Sequence, residues 1–395
     1  MNLLIRPRPT LDRRRWLGLT AAGLAAAGGG PAGQARAEGT WEVTPDGEAA
    51  LERGLAWLAA NQGAEGSWGA NDLGLIGLGA LAFLAAGEMP GRGRYGKQVA
   101  AALAFITGRA KPSGLLNISN SQRDMYNHGL ATFVLGQAHG MTGGADPRMS
   151  ETLDRALGLI AKTQCGDGGW GYQARRDERG HDLSLVVMQA KALRSAVDSG
   201  LEVSPTVINL AIRCVREHYQ PAGMNEKSPE DDQKRVRGQF CYSKGGGGAS
   251  IAMAACGCVC LQEFGKYDDW RIGKNMDVIT TAINSLPAWE RRDGTMPFDA
   301  YTLYYVGQAL YQVGGKPWKD HYGKLRDFLT RSQVVDPGNK RTHGTWHDRG
   351  HHGNARVGGT DGQLFATAVA CFILAIPNRY LPILQEGRIA ALDGR

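Results

Sequence analysis

Five aspartates stand at or just before the start of apolar segments: Asp72, Asp124, Asp182, Asp299 and Asp361. Carboxylates brought together at one end of parallel helices could serve acid catalysis or hold a metal. Asp299, in Pro297-Phe298-Asp299-Ala300-Tyr301-Thr302, is the best single acid, with Asp182 beside His181 behind it. Aspartate is also a preferred helix N-cap, and capping stabilises the anion, whereas a protonating acid must stay neutral. His128 lies one turn past Asp124 and reads either as a cavity-facing catalytic group or as a satisfied core histidine. Glu230-Asp231-Asp232 and Asp268-Asp269 read as solvated charge runs.

A second set of residues could bind metal. His343, His347, His351 and His352 fall within ten residues beside Asp348, and imidazole is a common zinc ligand. Cys241 and His351 are the candidate pair. The histidines lie among Gly344, Gly350 and Gly353 without strict ligand spacing, so a solvated loop is the plainer reading and no cofactor is expected. A third set is aromatic. Trp170, Tyr242, Tyr301, Tyr304, Tyr305 and Phe365 are the candidate ligand-binding residues, and the i, i+3, i+4 spacing of the three tyrosines places them on one helix face.

These residues must be positioned by helices. Amphipathic segments start at Thr44-Pro45, Asp146-Pro147 and Ser204-Pro205, each a cap followed by a first-turn proline. The second and third of these are expected to run to Gln164 and Gln220. Segments 97–109, 268–286 and 317–333 complete that set. Between them lie segments apolar or small on nearly all sides: 73–84, 125–138, 183–196, 249–261, 300–313 and 364–376. A helix apolar all round is buried, and none of these is long enough to span a bilayer. Six amphipathic and six buried helices in alternation predict an all-α fold of six hairpins closed as an (α/α)6 double ring. The long connections 111–122, 165–181, 221–244, 287–298 and 334–360 would share one mouth, where function is expected.

A motif repeats along the chain. Gln62, Gly66 and Trp68 match Gln164, Gly168 and Trp170 as Gln-x-x-x-Gly-x-Trp. Gln333, Gly344 and Trp346 form a stretched third copy, and 110–116 a degenerate one with Ala110 for Gln and Leu116 for Trp. The tryptophans are expected to pack between repeats while the glutamines tie each outer helix end to the next inner helix. In these motifs the chain resembles the squalene-hopene cyclase and protein prenyltransferase β-subunit superfamily over residues 44–376. The resemblance implies the double ring and an aromatic-lined cavity for an isoprenoid or other apolar ligand.

Departures from the family pattern bear on activity. The cyclases take their acid from Asp-x-Asp-Asp, which this chain lacks. The prenyltransferases hold zinc with Asp, Cys and His. Cys241 and Tyr242 match that strip, but Gln239 stands at the Asp position and Asp361-Gly362-Gln363-Leu364 where the His would fall. The expected function is therefore apolar-ligand binding with the standard catalytic motifs absent. An active enzyme at the long-loop mouth and a scaffold that binds protein or glycan there are the alternatives.

The first 37 residues read as an export leader of twin-arginine type. Arg13-Arg14-Arg15-Trp16-Leu17 precedes a run rich in Ala, Leu and Gly, and Ala35-Arg36-Ala37 is an A-x-A site. Residues 38–395 would then form one exported domain. The chain carries 45 basic and 38 acidic residues, a net charge of +7. The leader holds six arginines and one aspartate, leaving 39 basic against 37 acidic, so nucleic acid is not an expected partner. Seven cysteines, three of them at 256, 258 and 260 in an apolar run, read as small buried thiols.

Overall fold

The sequence pattern of alternating amphipathic and apolar segments is realised almost throughout as helix. The computed structural model describes residues 41–69, 72–225, 227–288, 290–348 and 362–385. The segment expected to be an export leader, with His351, His352 and Asp361, lies outside the described residues.

The amphipathic helices are α1 (Pro45–Ala60), α3 (Gly96–Gly108), α5 (Pro147–Thr163), α7 (Pro205–Glu217), α10 (Trp270–Asn284) and α12 (Gly315–Ser332). Their starts are encoded locally. Thr44 Oγ1 accepts from Gly47 N at 3.1 Å, and Asp146 Oδ1 from Arg148 N at 2.9 Å, each ahead of a proline whose missing N–H has no partner to lose. In α5 the stripe Met149, Leu153, Ala156, Leu157 and Ile160 is buried. Between them come α2 (Leu73–Ala85), α4 (Asp124–Thr142), α6 (Leu183–Asp198), α9 (Ile251–Glu263), α11 (Ala300–Val313) and α13 (Gln363–Ala375), buried on nearly every side. A short helix α8 (Glu230–Arg235) lies in the connection after α7. Among the described residues no helix is long and apolar enough to cross a membrane.

The buried helices touch in order: α2 on α4, α4 on α6, α6 on α9, α9 on α11, α11 on α13, and α13 back on α2. Glycines set close, parallel approaches within this circuit. A Cβ on Gly129 would meet Met188, one on Gly136 would meet Ser195, and one on Gly140 would meet Ser199. That constant offset means α4 and α6 run side by side in the same direction. Cys256 with Tyr301 and Gln262 with Ala309 show the same for α9 and α11.

The repeated motif is one geometry built three times. The amides of Gln62, Gln164 and Gln333 donate to Gly66, Gly168 and Gly344 carbonyls, each at 3.0 Å. The same nitrogens reach the carbonyls of Gln98, Val207 and Ala50 on the next amphipathic helix, α3, α7 and α1 in turn. The glutamines therefore join neighbouring amphipathic helices, not an amphipathic helix to the following buried one as the sequence suggested. The indoles of Trp68, Trp170 and Trp346 turn back to donate to Leu58, Ile160 and Leu329. Gly168 has φ +88°, and a Cβ there would stand 2.1 Å from the Leu210 carbonyl, so only glycine fits. Gly114 keeps the same φ, +90°, and the same close approach, to Arg155, in the copy that lost its Gln and Trp.

One segment departs from the helical pattern. The helix expected to run to Gln220 ends at Glu217, and Tyr219–Pro221 is β1 of a small antiparallel sheet with β2 (Gly238–Ser243) and β3 (Gly247–Ala249). Pro221 cannot donate to a helical ladder, whereas at the edge of a sheet it loses nothing. Phe240 anchors β2 by filling the space where Gly257 has no side chain. At the other end, residues 376–385 fold back across the helix ends. Ile383 N donates to Gln137 Oε1 at 3.0 Å, and Tyr311 OH to the Leu384 carbonyl at 2.6 Å.

Candidate functional site

Because the buried helices run parallel, their first turns share one end with the long connections. Adjacent connections meet there. Ala174 N donates to Asp124 Oδ2 at 3.2 Å, Lys244 pairs with Asp167 at 2.8 Å, and Thr295 bridges to His347.

The densest polar constellation at this end surrounds Asp182, whose side chain is fully buried. As the N-cap of α6 its Oδ1 accepts from Leu185 N at 3.2 Å and from Ser184 Oγ. Its Oδ2 accepts from Tyr172 OH at 2.8 Å and faces His181 Nδ1 at 2.9 Å. Tyr242 OH lies 2.5 Å from Tyr172 OH, and Tyr126 OH reaches Ser184 Oγ. The rings of Tyr126 and Tyr172 lie 5.6 Å apart, and those of Tyr172 and His181 4.3 Å. Burial, reinforced by the charge of Asp182, pushes the hydroxyls of Tyr126, Tyr172 and Tyr242 well above the ordinary phenol range, so they remain donors. Both oxygens of Asp182 are occupied as acceptors, which suits a positioning carboxylate better than a proton donor. His181 is about half exposed.

Half-buried apolar side chains lie at the same end. Leu75, Tyr126, Ile251, Tyr301 and Phe365 are half-buried, each on the first turn of its helix (α2, α4, α9, α11 and α13) and packed on the core. Tyr301 OH meets Cys256 Sγ at 3.5 Å. Deeper, the interior is filled. Tyr305 OH touches Met188 Sδ at 3.2 Å, Tyr304 packs on Phe372, and Lys191 Nζ lies 3.1 Å from Glu263 and 4.4 Å above the Phe133 ring. Gln308 completes that contact. The three tyrosines thus diverge: Tyr301 reaches the rim, while Tyr304 and Tyr305 are sealed in the core.

Several candidates take structural places instead. Asp299 is an N-cap whose two oxygens are taken by Thr302, the backbone at 3.0 Å and the hydroxyl at 2.5 Å. Asp72 pairs with Arg123 at 3.0 Å, and Asp124 with Asn117 at 2.7 Å. His128 is no proton carrier at the mouth. Fully buried, it accepts from Leu116 N at 3.1 Å and donates from Nε2 to the Ala156 carbonyl at 3.1 Å. It ties loop to amphipathic helix in a repeat that lacks the motif glutamine, and burial pushes its pKa down to about 4. Trp170 is fully buried in its fastener role.

Cys241 is buried on β2 with its thiol pushed up by desolvation, which disfavours the thiolate a metal needs. Among the described residues, no three His, Cys, Asp or Glu side chains gather as a metal site. Tyr172 and His181, central here, were not singled out as site residues from the sequence. Two residues after Asp124, Asp182 and Asp299 come Tyr126, Ser184 and Tyr301, which lie at this end, but that spacing does not mark Tyr172 or His181. The chain matches no protein-family model and no curated protein, so its site is read from geometry alone.

Proposed function

We propose that the protein is an exported (α/α)6 double-ring protein, of the squalene cyclase and prenyltransferase type, that binds an apolar ligand bearing one polar group. The cyclic order of contacts among the buried helices and the ties between successive amphipathic helices support the double ring. The ligand reading rests on one observation. Half-buried apolar residues on the first turns of five helices lie at the same end as a polar anchor, the Asp182–His181–Tyr172–Tyr242 cluster. The rings would cover an isoprenoid-like body, and the anchor would hold its hydroxyl or ammonium end. Because Lys191, Tyr304 and Tyr305 fill the interior, this reading moves the ligand from the central cavity expected from the sequence to the mouth.

The experiment is mass spectrometry of solvent extracts from the purified chain, with titration of a fluorescent farnesol analogue. The reading expects a co-purifying lipid and saturable binding that Phe365→Glu weakens. No extractable lipid and no saturable binding would overturn it.

One observation favours a second reading, base catalysis. A half-exposed imidazole oriented by a buried carboxylate is the arrangement used to take a proton from a bound substrate. Turnover abolished by His181→Gln, with ligand binding intact, would separate it from binding alone.

A further inference from the structure

The connection 165–181 delivers two members of the mouth cluster, Tyr172 early in its course and His181 at its end. Its neck is zipped. His181 N donates to the Trp170 carbonyl at 2.9 Å, while Gly166 N and Asp167 N donate to the carbonyls of Asp177 and Glu178 at 3.2 and 3.1 Å. The two strands of the neck pass so closely that a Cβ on Gly180 would stand 2.7 Å from the Gly169 Cα. The side chain of Asp167 closes the neck. Its Oδ1 accepts from Gly169 N at 3.1 Å and from Gly180 N, the residue before His181, at 2.8 Å.

The other oxygen of Asp167 serves the next connection. Oδ2 accepts from Lys244 Nζ at 2.8 Å, and the same ammonium donates to Glu217, at the end of α7, at 2.7 Å. Lys244 follows the last residue of β2 and stands two positions after Tyr242. One ion pair thus holds the hairpin that carries Tyr242 against the loop that carries Tyr172 and His181. Its side chains are 15 % and 28 % exposed, and a charge-assisted bond in that setting fixes geometry as well as adding energy. This use of the position before the motif glycine is particular to the second copy. Glu65, its counterpart in the first, bonds to Ser67 in its own turn, and His343, in the third, accepts from Asp336 N in its own connection.

We propose that Asp167 and Lys244 are positioning residues of the mouth, and that their pair sets the orientation of His181 on Asp182 and the meeting of Tyr172 with Tyr242. The role rests on the reading of the mouth as a binding site, but the orientation can be measured without any ligand.

Long-range 1H–15N correlation of the histidine rings measures it, with the His181 signals assigned by their loss in His181→Gln. Held with Nδ1 on the Asp182 carboxylate, neutral His181 should populate the Nδ1–H tautomer. Lys244→Met should return a mixture of both tautomers and weaken binding of the fluorescent farnesol analogue several-fold, and Lys244→Arg should restore both readouts. Asp167→Asn, which keeps an acceptor for Gly180 N but loses the charge that holds Lys244, should match Lys244→Met. Arg94→Met, which breaks the pair with Glu52 in the connection after α2, should change neither. If Lys244→Met unfolds, Asp167→Asn decides. A tautomer mixture in the native chain, or a single Nδ1–H tautomer in the folded Asp167→Asn variant, overturns the positioning role. If the native chain binds no analogue while the tautomer still follows the pair, the mouth fails as a binding site and the positioning stands.

Discussion

Gln333 Nε2 donates to the carbonyl of Ala50 at 2.8 Å, across 283 positions of sequence. The same side chain accepts from Arg53 Nε at 2.8 Å, and Trp57 donates to the Arg341 carbonyl at 2.9 Å. The last motif copy thus closes onto the first helix as the earlier copies join their neighbours. Gln333→Ala removes the amide that bridges two buried carbonyls, those of Ala50 and Gly344. It should lower stability by about 2–4 kcal/mol, judged from the penalty for unsatisfied buried groups. Gln62→Ala, at a half-buried site, should cost less. Urea unfolding of the two variants gives the comparison, and equal effects would refute a special closing role for Gln333.

His128 makes stability depend on pH. Its pKa is pushed down to about 4 in the fold, against about 6.5 when unfolded, so the unfolded chain binds the extra proton between these values. The contribution is complete above about pH 6.5 and is lost as pH falls toward 4, in total about 3 kcal/mol. Urea midpoints at pH 7 and pH 4.5 should separate more in the native chain than in His128→Gln. Identical pH slopes would remove His128 from the account.

Lys191 and Glu263 are each about 1 % exposed and 3.1 Å apart. Lys191→Met leaves the carboxylate buried without its ammonium, with the Gln312 amide at 3.0 Å and the charge of Arg194 nearby. The expected loss is about 3–5 kcal/mol, and adding Glu263→Gln should recover much of it. A double variant less stable than Lys191→Met alone would contradict an ion pair whose members depend on each other.

All seven cysteines are free and buried. Burial raises the pKa of Cys256, Cys258, Cys260 and Cys371 in particular, so few thiolates form. A thiol reagent should label none in the native protein and seven in denaturant. Labelling of Cys241 without denaturant would mean that the sheet opens.

Asp182 and Asp299 separate anchor from cap. Asp299→Ala should cost about 1 kcal/mol, the loss of a capping interaction. Asp182→Ala strips a partner from Tyr172, Ser184 and His181 as well and should cost about 2–4 kcal/mol. Thermal unfolding ranks them; similar losses would reduce Asp182 to a cap.

The helices were legible because their signals are local: Thr44-Pro45, Asp146-Pro147 and the stripe of α5 each lie within a few turns. The sheet was not, since Gln220 looks helical until Tyr219 pairs with Phe240 across the connection. Nor was the role of His128, which depends on Ala156 arriving beside it where a glutamine is missing. The pairing of Tyr172 with Tyr242 joins two loops 70 positions apart, and no spacing rule predicts it.

The closing contact of α1 with α12 and α13 also has a consequence during synthesis. Ribosomes add roughly 5–20 residues per second, so α1 would wait about 15–60 s for its distant partners. Throughout that interval the side of α2 that belongs against α13 is bare and adhesive. A chaperone that held the first hairpin until the last one emerged would therefore be expected to raise the yield of folded chain.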